Sequence, residues 1–276
     1  MRLGINATVP HETPQQWAEL AAAKGYRASS FPVDHTAPVS VIDAYVAAAK
    51  EYDILIAEVG VWNTPHHPDP AIAAKARERC LEQLRLAEYI KANCCVNISG
   101  APGERWDFVY PENFSQELYA KNVEFVQYLL DTVKPEHTAY TLEPMPWMLP
   151  DSPEQYLQFL KDVNRKGCKV HMDIWNMVKD PYIYTHLEDH VRGAFELLGP
   201  EIVSCHIKDI WVRPGSTFTL EEVPIGTGTA PLGVYLDEIS KLQPDMPVLI
   251  EHLSKQEEYD AALAYLKGKY GDRYGI

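Results

Sequence analysis

Short apolar runs rich in β-formers recur along the whole chain, at residues 2–7, 26–31, 54–61, 94–99, 138–143, 168–173, 202–206 and 248–251. Segments with helical spacing lie between them. Tyr156, Phe159, Leu160 and Val163, for example, stand at i, i+3, i+4 and i+7 and would share one helix face. Two helix starts carry a capping signature, Thr13-Pro14-Gln15-Gln16 and Ser152-Pro153-Glu154-Gln155. In each, the hydroxyl can accept from the N3 amide, Pro occupies the first helical position where its missing donor costs nothing, and Gln sits at the capping-box position. Gly25 and Gly167 stand where left-handed C-terminal caps are wanted. Thr219 to Glu222 also fits a capping box, but no apolar helical pattern follows, so no helix is expected there.

Eight strand–helix units in 276 residues average about 34 residues each, the spacing of βαβ crossovers. No Pro/Gly/Ser-rich linker, internal repeat or composition shift divides the chain. An open doubly wound sheet would also alternate, yet the glycine fingerprint expected after its first strand is missing; the turn reads Asn6-Ala7-Thr8-Val9-Pro10. The expectation is an α/β protein built as one (β/α)8 TIM barrel, a single domain over residues 1–276.

The charge balance narrows the partners. Lys and Arg total 25 against 39 Asp and Glu, a formal charge of −14, which repels phosphate backbones and anionic surfaces. Nucleic acid and membrane are therefore not expected as partners. No apolar run approaches the roughly 18 residues of a membrane span, and the opening Met-Arg-Leu-Gly-Ile-Asn carries no signal-peptide segment, so a cytoplasmic protein is expected. The five cysteines are odd in number and form no Cys-x-x-Cys pair; they read as small hydrophobes in a reducing compartment.

In such a barrel chemistry sits at the C-terminal ends of the strands. The fifth run ends at Glu143, the sixth at Asp173, the seventh at His206-Ile-Lys208-Asp209 and the eighth at Glu251-His252, with separations of 30, 33 and 45 residues between the first four named in turn as Glu143, Asp173, His206 and Glu251. Three carboxylates and an imidazole on one rim would repel one another without a cation and make an oxygen-rich site with one. Such ligation favours one Mn²⁺ or Mg²⁺ ion, with Co²⁺ or Zn²⁺ tolerated. Lys208 follows His206 by two, so alternation turns both inward, where Lys208 can polarise a substrate oxygen or hold a carboxylate; Asp209 then faces outward unless the strand has already ended.

The sequence resembles the xylose isomerase-like superfamily of sugar (phosphate) isomerases and epimerases, which also includes endonuclease IV and the keto-inositol dehydratases. The resemblance rests on Leu-Glu143-Pro, on Asp173 after an apolar strand, on His206-Ile-Lys208-Asp209, on the run Pro224-Ile-Gly226-Thr-Gly228 and on Ile-Glu251-His252. It implies that Glu143, Asp173, His206 and Glu251 bind one divalent metal and that the two glutamates double as acid and base on either side of the substrate. Independently of it, chelation of a ketone and its neighbouring hydroxyl by a metal acidifies the α C–H, and a carboxylate can remove that proton to give a metal-bound enediolate. Return of the proton to the other face epimerises; return to the neighbouring carbon isomerises. Many ketose 3-epimerases of the family place a histidine three residues after the metal aspartate. Here that position is Asn176, which can bond a substrate hydroxyl but cannot carry a proton.

Other residues enter as substrate contacts. Trp62, Trp106, Trp147, Trp175 and Trp211 follow strands three to seven, where aromatic rings suit stacking on a sugar, a pyranose or glycoside in preference to a triose. A subunit interface on the same rim is the competing reading. Arg213, in the loop after the seventh strand, is a candidate for substrate oxygens or a phosphate, and His66 or His67 for a substrate-facing role. The three-zinc nuclease is disfavoured by the net charge and by Asn176. The leading expectation is a metal-dependent sugar isomerase or epimerase. The second is a metal-dependent lyase or dehydratase, acting on a keto-inositol or cleaving a 3-keto-glycoside. A non-catalytic sugar-binding or accessory subunit is a third, against which the paired glutamates argue. Homo-oligomerisation is a family-level expectation only.

Overall fold

The computed structural model describes residues 1–7 and 9–276; Thr8 lies outside them. Among the described residues ten strands occur in chain order: β1 Arg2–Ile5, β2 Ala28–Ser30, β3 Leu55–Gly60, β4 Cys94–Asn97, β5 Ala139–Leu142, β6 Cys168–Met172, β7 Ile202–Ile207, β8 Asp209–Val212, β9 Leu220–Val223 and β10 Pro247–Ile250. Eight of them close into a parallel barrel in the order β1-β10-β7-β6-β5-β4-β3-β2, while β8 and β9 pair antiparallel as a separate hairpin. All eight predicted runs are therefore barrel strands, and the architecture is a single (β/α)8 TIM barrel. The stretch read as a false capping box is strand β9.

Alternation sorts the side chains. Ile5, Tyr140, Leu142, Val170, Met172, Cys205, Ile207, Val248 and Ile250 belong to the large apolar cluster that the strands share with the surrounding helices. Between these positions stand Asn6, Thr141, Glu143, His171, Asp173, Ser204, His206 and Glu251, which period 2 turns to the other side, the barrel interior. The closed end of that interior is filled by Ala28, Ala57 and Leu249, packed as a small cluster of their own. Gly4 is needed beside them, since a Cβ there would lie 2.3 Å from the carbonyl oxygen of Ala28.

β3 breaks the rule. Its pairing with β2 runs Ser29 opposite Ile56 and then Ser30 opposite Glu58, skipping Ala57. A bulge of this kind re-aims the side chains beyond it. Ile56 and Val59 face the helices, and both Ala57 and Glu58 are left on the interior side.

The helices are α1 Pro14–Lys24, α2 Val39–Glu51, α3 Pro70–Ile90, α4 Gln116–Val133, α5 Pro153–Val163, the short α6 Pro181–Thr185, α7 Leu187–Leu198, α8 Leu232–Ser240 and α9 Gln256–Tyr274. Thr13 and Ser152 cap α1 and α5 as expected, accepting from the amides of Gln16 and Gln155. Gly25 closes α1 in the left-handed conformation at φ 100°. Gly167 does not close α5: Asn164 takes the left-handed cap three residues earlier, and Gly167 instead packs close to Leu130. Tyr156, Phe159 and Val163 bury their shared face. Among the described residues no helix is long and apolar enough to cross a membrane. All five cysteines are buried and unpaired, and burial pushes the thiols of Cys80, Cys168 and Cys205 up to about 12, so they act as small hydrophobes.

Candidate metal centre and substrate cavity

Glu143 follows the last residue of β5, Asp173 the last of β6 and Glu251 the last of β10, while His206 is the penultimate residue of β7. All four are at most 3% exposed. Each offers one donor atom to a set whose members all lie within 4.8 Å of one another. His206 Nδ1 stands 2.8 Å from Glu251 Oε2 and 3.1 Å from Glu143 Oε1. A hexacoordinate ion with bonds of about 2.1 Å holds neighbouring donors roughly 3 Å apart, so this spacing suits one small divalent cation.

The electrostatics agree with that fit. Burial, with the charges of Glu251 and Glu143 beside it, pushes the Asp173 carboxyl well above its ordinary value against the pull of Lys208. Glu251 goes the other way: burial is outweighed by His206 and Lys208, which hold it well below the usual carboxylate range. For His206, burial is overcome by Glu251, Glu58 and Glu143, and the imidazole is raised. A divalent cation would relieve this crowding, and the oxygen-plus-one-imidazole donor set is one that Mn²⁺ or Mg²⁺ accepts.

Lys208 points inward, as alternation required, and is 3% exposed. Its Nζ stands 2.8 Å from Asp173 Oδ2, 2.9 Å from Glu251 Oε1 and 2.8 Å from Glu222 Oε1, and it donates to Asn176 Oδ1 at 2.8 Å. Asn176 in turn donates from Nδ2 towards Glu143 Oε1 at 3.4 Å. Asn176 thus links the lysine to the carboxylate.

The hairpin that delivers Glu222 is held at its base by Asp209. This side chain does not face solvent; it is 2% exposed. Its carboxylate accepts four backbone N–H groups, from Ile210 at 2.9 Å, Gly226 at 2.9 Å, Gly228 at 2.9 Å and Ala230 at 3.0 Å. The Gly226-Thr-Gly228 run follows from this clamp: Gly226 has φ 93°, and a Cβ on Gly228 would stand 2.3 Å from Asp209 Oδ1. Gly228→Ala is expected to cost about 2–4 kcal/mol of unfolding free energy, through overpacking and loss of buried bonds to Asp209. Urea denaturation would measure it, and a cost below about 0.5 kcal/mol would mean the loop is not organised around Asp209.

A cavity of about 840 Å³ opens onto these residues. Glu58, Glu143, Glu251 and Asn6 line its polar depth, and Phe31, Trp62, Trp106 and Met145 are among its apolar walls. Arg79 is the one Lys or Arg among the lining residues, and its guanidinium is tied to Asp34 at 2.8 Å.

Three sequence candidates stand elsewhere. Trp175 is 1% exposed, buried by a 3₁₀ turn and packed edge-on against Tyr235. Arg213 lies outside the site on the exposed hairpin, 3.2 Å from Glu221. His66 is carried outward between α3 and α4, where Nε2 bonds Asn122 Oδ1 at 2.9 Å and it lines a separate cavity of about 610 Å³; its partner His67 accepts from the Asp69 amide. Trp147 packs at the rim against the small cluster of Ile98, Ala101 and Met148.

The structure adds residues that sequence reasoning passed over. Glu58, 1% exposed, faces His206 and His171. Asn6 donates towards Glu251 at 3.5 Å. His252 reaches Glu222 Oε2 through Nδ1 at 2.7 Å, lines the cavity, and holds a left-handed φ of 57° that costs a non-glycine residue about 1 kcal/mol or more.

A family model described as xylose isomerase-like TIM barrel matches residues 17–269. No curated protein matches the sequence. Among solved structures, the probable 3-DHS dehydratase AsbF of petrobactin synthesis in Bacillus anthracis is similar at 16% identity and a TM-score of 0.70, covering 97% of this chain and 99% of that one. The 3-keto-D-glucoside 4-epimerase YcjR from E. coli is similar at 14% identity and a TM-score of 0.69, with 97% and 99% covered. The IOLI protein with a bound zinc atom is similar at 16% identity and a TM-score of 0.69, with 100% and 98% covered. At these identities the likeness establishes the fold, and the named relatives span an epimerase and a dehydratase.

Proposed function

The chain belongs to the xylose isomerase-like TIM barrel family, and on that premise we propose that it is a divalent-metal-dependent isomerase or epimerase of an unphosphorylated carbohydrate. The observation that carries this reading is the convergence of Glu143, Asp173, His206 and Glu251 on one buried point at the end of a substrate-sized cavity. Those four residues would hold one ion, Mn²⁺ before Mg²⁺, Co²⁺ or Zn²⁺. Bound there, the ion would supply Lewis acidity to a carbonyl and its neighbouring hydroxyl.

The chain's own residues do the rest. Glu143 after β5 and Glu251 after β10 both approach His206 Nδ1 and both line the cavity, so one can take the proton next to the carbonyl and the other return it. Lys208 holds Asp173 and Glu251 in place, and Asn176 bridges Lys208 and Glu143. Trp62 and Trp106 offer ring faces for a sugar and exclude water. Because Arg79 is engaged by Asp34, the lining offers, among the described residues, no Lys or Arg free for a phosphate.

The size of the cavity favours a second reading. About 840 Å³ lies towards the upper end for small-molecule sites, with room for a glycoside. Proton abstraction from a 3-keto-glycoside or keto-inositol would then be followed by expulsion of an oxygen leaving group. The deciding experiment is metal content by elemental mass spectrometry, followed by assay of candidate sugars and keto-sugars in D₂O. About one equivalent of divalent ion per chain, with deuterium incorporated and the carbon skeleton otherwise unchanged in mass, is the expected result. Deuterium exchange with loss of a leaving group would select the lyase. No ion bound even after Mn²⁺ addition would overturn the metal reading and leave a sugar-binding subunit in its place.

A further inference from the structure

A metal-ligating histidine has two nitrogens, and what the second one bonds decides which carries the proton. Here Nδ1 of His206 faces Glu143 and Glu251, and Nε2 faces away from them towards Glu58, at 3.4 Å from both of its carboxylate oxygens. Glu58 is 1% exposed and is fixed by Ser30, whose hydroxyl donates to Oε1 at 2.6 Å. The ring of His171 stands edge-on to that of His206, with centroids 4.1 Å apart and planes at 85°, confining the imidazole from the side. A carboxylate sunk in a barrel among apolar strands has a desolvation cost that nothing in packing recovers. The bulge in β3 is what turns it inward.

We infer that Glu58 is a positioning residue for the metal centre: it accepts the Nε2–H of His206, so that Nδ1 presents its lone pair to the ion held with Glu143, Asp173 and Glu251. This rests on the metal reading above, and adds to it a fifth residue, on β3, that touches no ion itself. Its removal leaves the four ligands in place and weakens the site by freeing the ring to turn and to move its proton to Nδ1.

The test is Mn²⁺ titration of the whole protein by electron paramagnetic resonance, in the wild type, Glu58→Gln, Glu58→Leu and Ser30→Ala. Affinity is expected to fall about 10–100-fold in Glu58→Leu, less in Glu58→Gln, which keeps an acceptor oxygen, and least in Ser30→Ala. The isosteric Gln variant keeps the test alive should Leu fail to fold. In Zn²⁺-loaded protein with ¹⁵N-labelled histidine, the wild type should show His206 with the proton on Nε2 and the metal on Nδ1, and the Glu58 variants should lose that single tautomer. Unchanged Mn²⁺ affinity and an unchanged His206 tautomer in both variants would overturn the inference while the metal site stands; a changed KM with unchanged metal affinity would do the same, making Glu58 a substrate contact. A wild type that binds neither ion would remove the metal reading and this inference with it.

Discussion

Glu251→Gln is expected to lower turnover by about 10²–10⁴-fold at saturating metal, the range that loss of a positioned acid–base group produces. The side chain is 1% exposed, its Oε2 lies 2.8 Å from His206 Nδ1, its Oε1 lies 2.9 Å from Lys208, and it lines the cavity. An amide keeps the shape but can neither take a proton nor supply a charged donor. Steady-state assay of the substrate found in the D₂O screen gives the rate, and deuterium exchange by the same variant separates proton abstraction from later steps. A variant retaining a tenth of the wild-type rate would move the base elsewhere and leave Glu143 or His252 to be tried.

The second large effect is on stability. Lys208→Met is expected to cost about 3–5 kcal/mol in chelator-treated protein, because removal of one partner from a buried ion cluster leaves its charges uncompensated. Asp173, Glu251 and Glu222 each lie within 2.9 Å of Nζ, and the methylene stem is equally enclosed. For a chain of this length such a loss lowers Tm by roughly 6–20 °C. Saturation with Mn²⁺ should return part of it, about 2.7 kcal/mol at a hundred times Kd, since the ion takes over compensation of the same carboxylates. Calorimetry with and without Mn²⁺ measures both quantities. A loss under 1 kcal/mol, or one indifferent to the ion, would mean that the carboxylates are neutralised by protons and not by Lys208.

Much of this is legible in the sequence, and the rest is hidden for physical reasons. Periodicity located all eight barrel strands, and the rule that barrel chemistry sits at their C-terminal ends led to Glu143, Asp173, His206 and Glu251 without a contact map. His171 was within reach of the same logic, two residues before Asp173 and therefore on its side of the strand. Glu58 was not: period 2 assigns it to the helix face opposite Ala57, and only the skipped pairing with β2 turns it inward. Arg213 falls outside the site, and Asp209 escapes the alternation of β7, because that strand ends at Ile207 and a hairpin follows whose antiparallel pairing joins residues eight to fourteen positions apart. Trp175 and His66 went astray through turns: a 3₁₀ turn buries the first, and the chain leaves the barrel mouth at Trp62, whose φ of 49° starts the departure that carries His66 between two helices.

The hairpin has a use for protein engineering. Its base is clamped by Asp209, Glu222 one residue from that base reaches Lys208, and its far end, residues 213–218, is exposed. Segments of other length or composition can be grafted between Val212 and Leu220 without disturbing the anchored ends. Such a graft offers an exposed attachment point for an added binding segment, with the barrel and its buried charges left as they are.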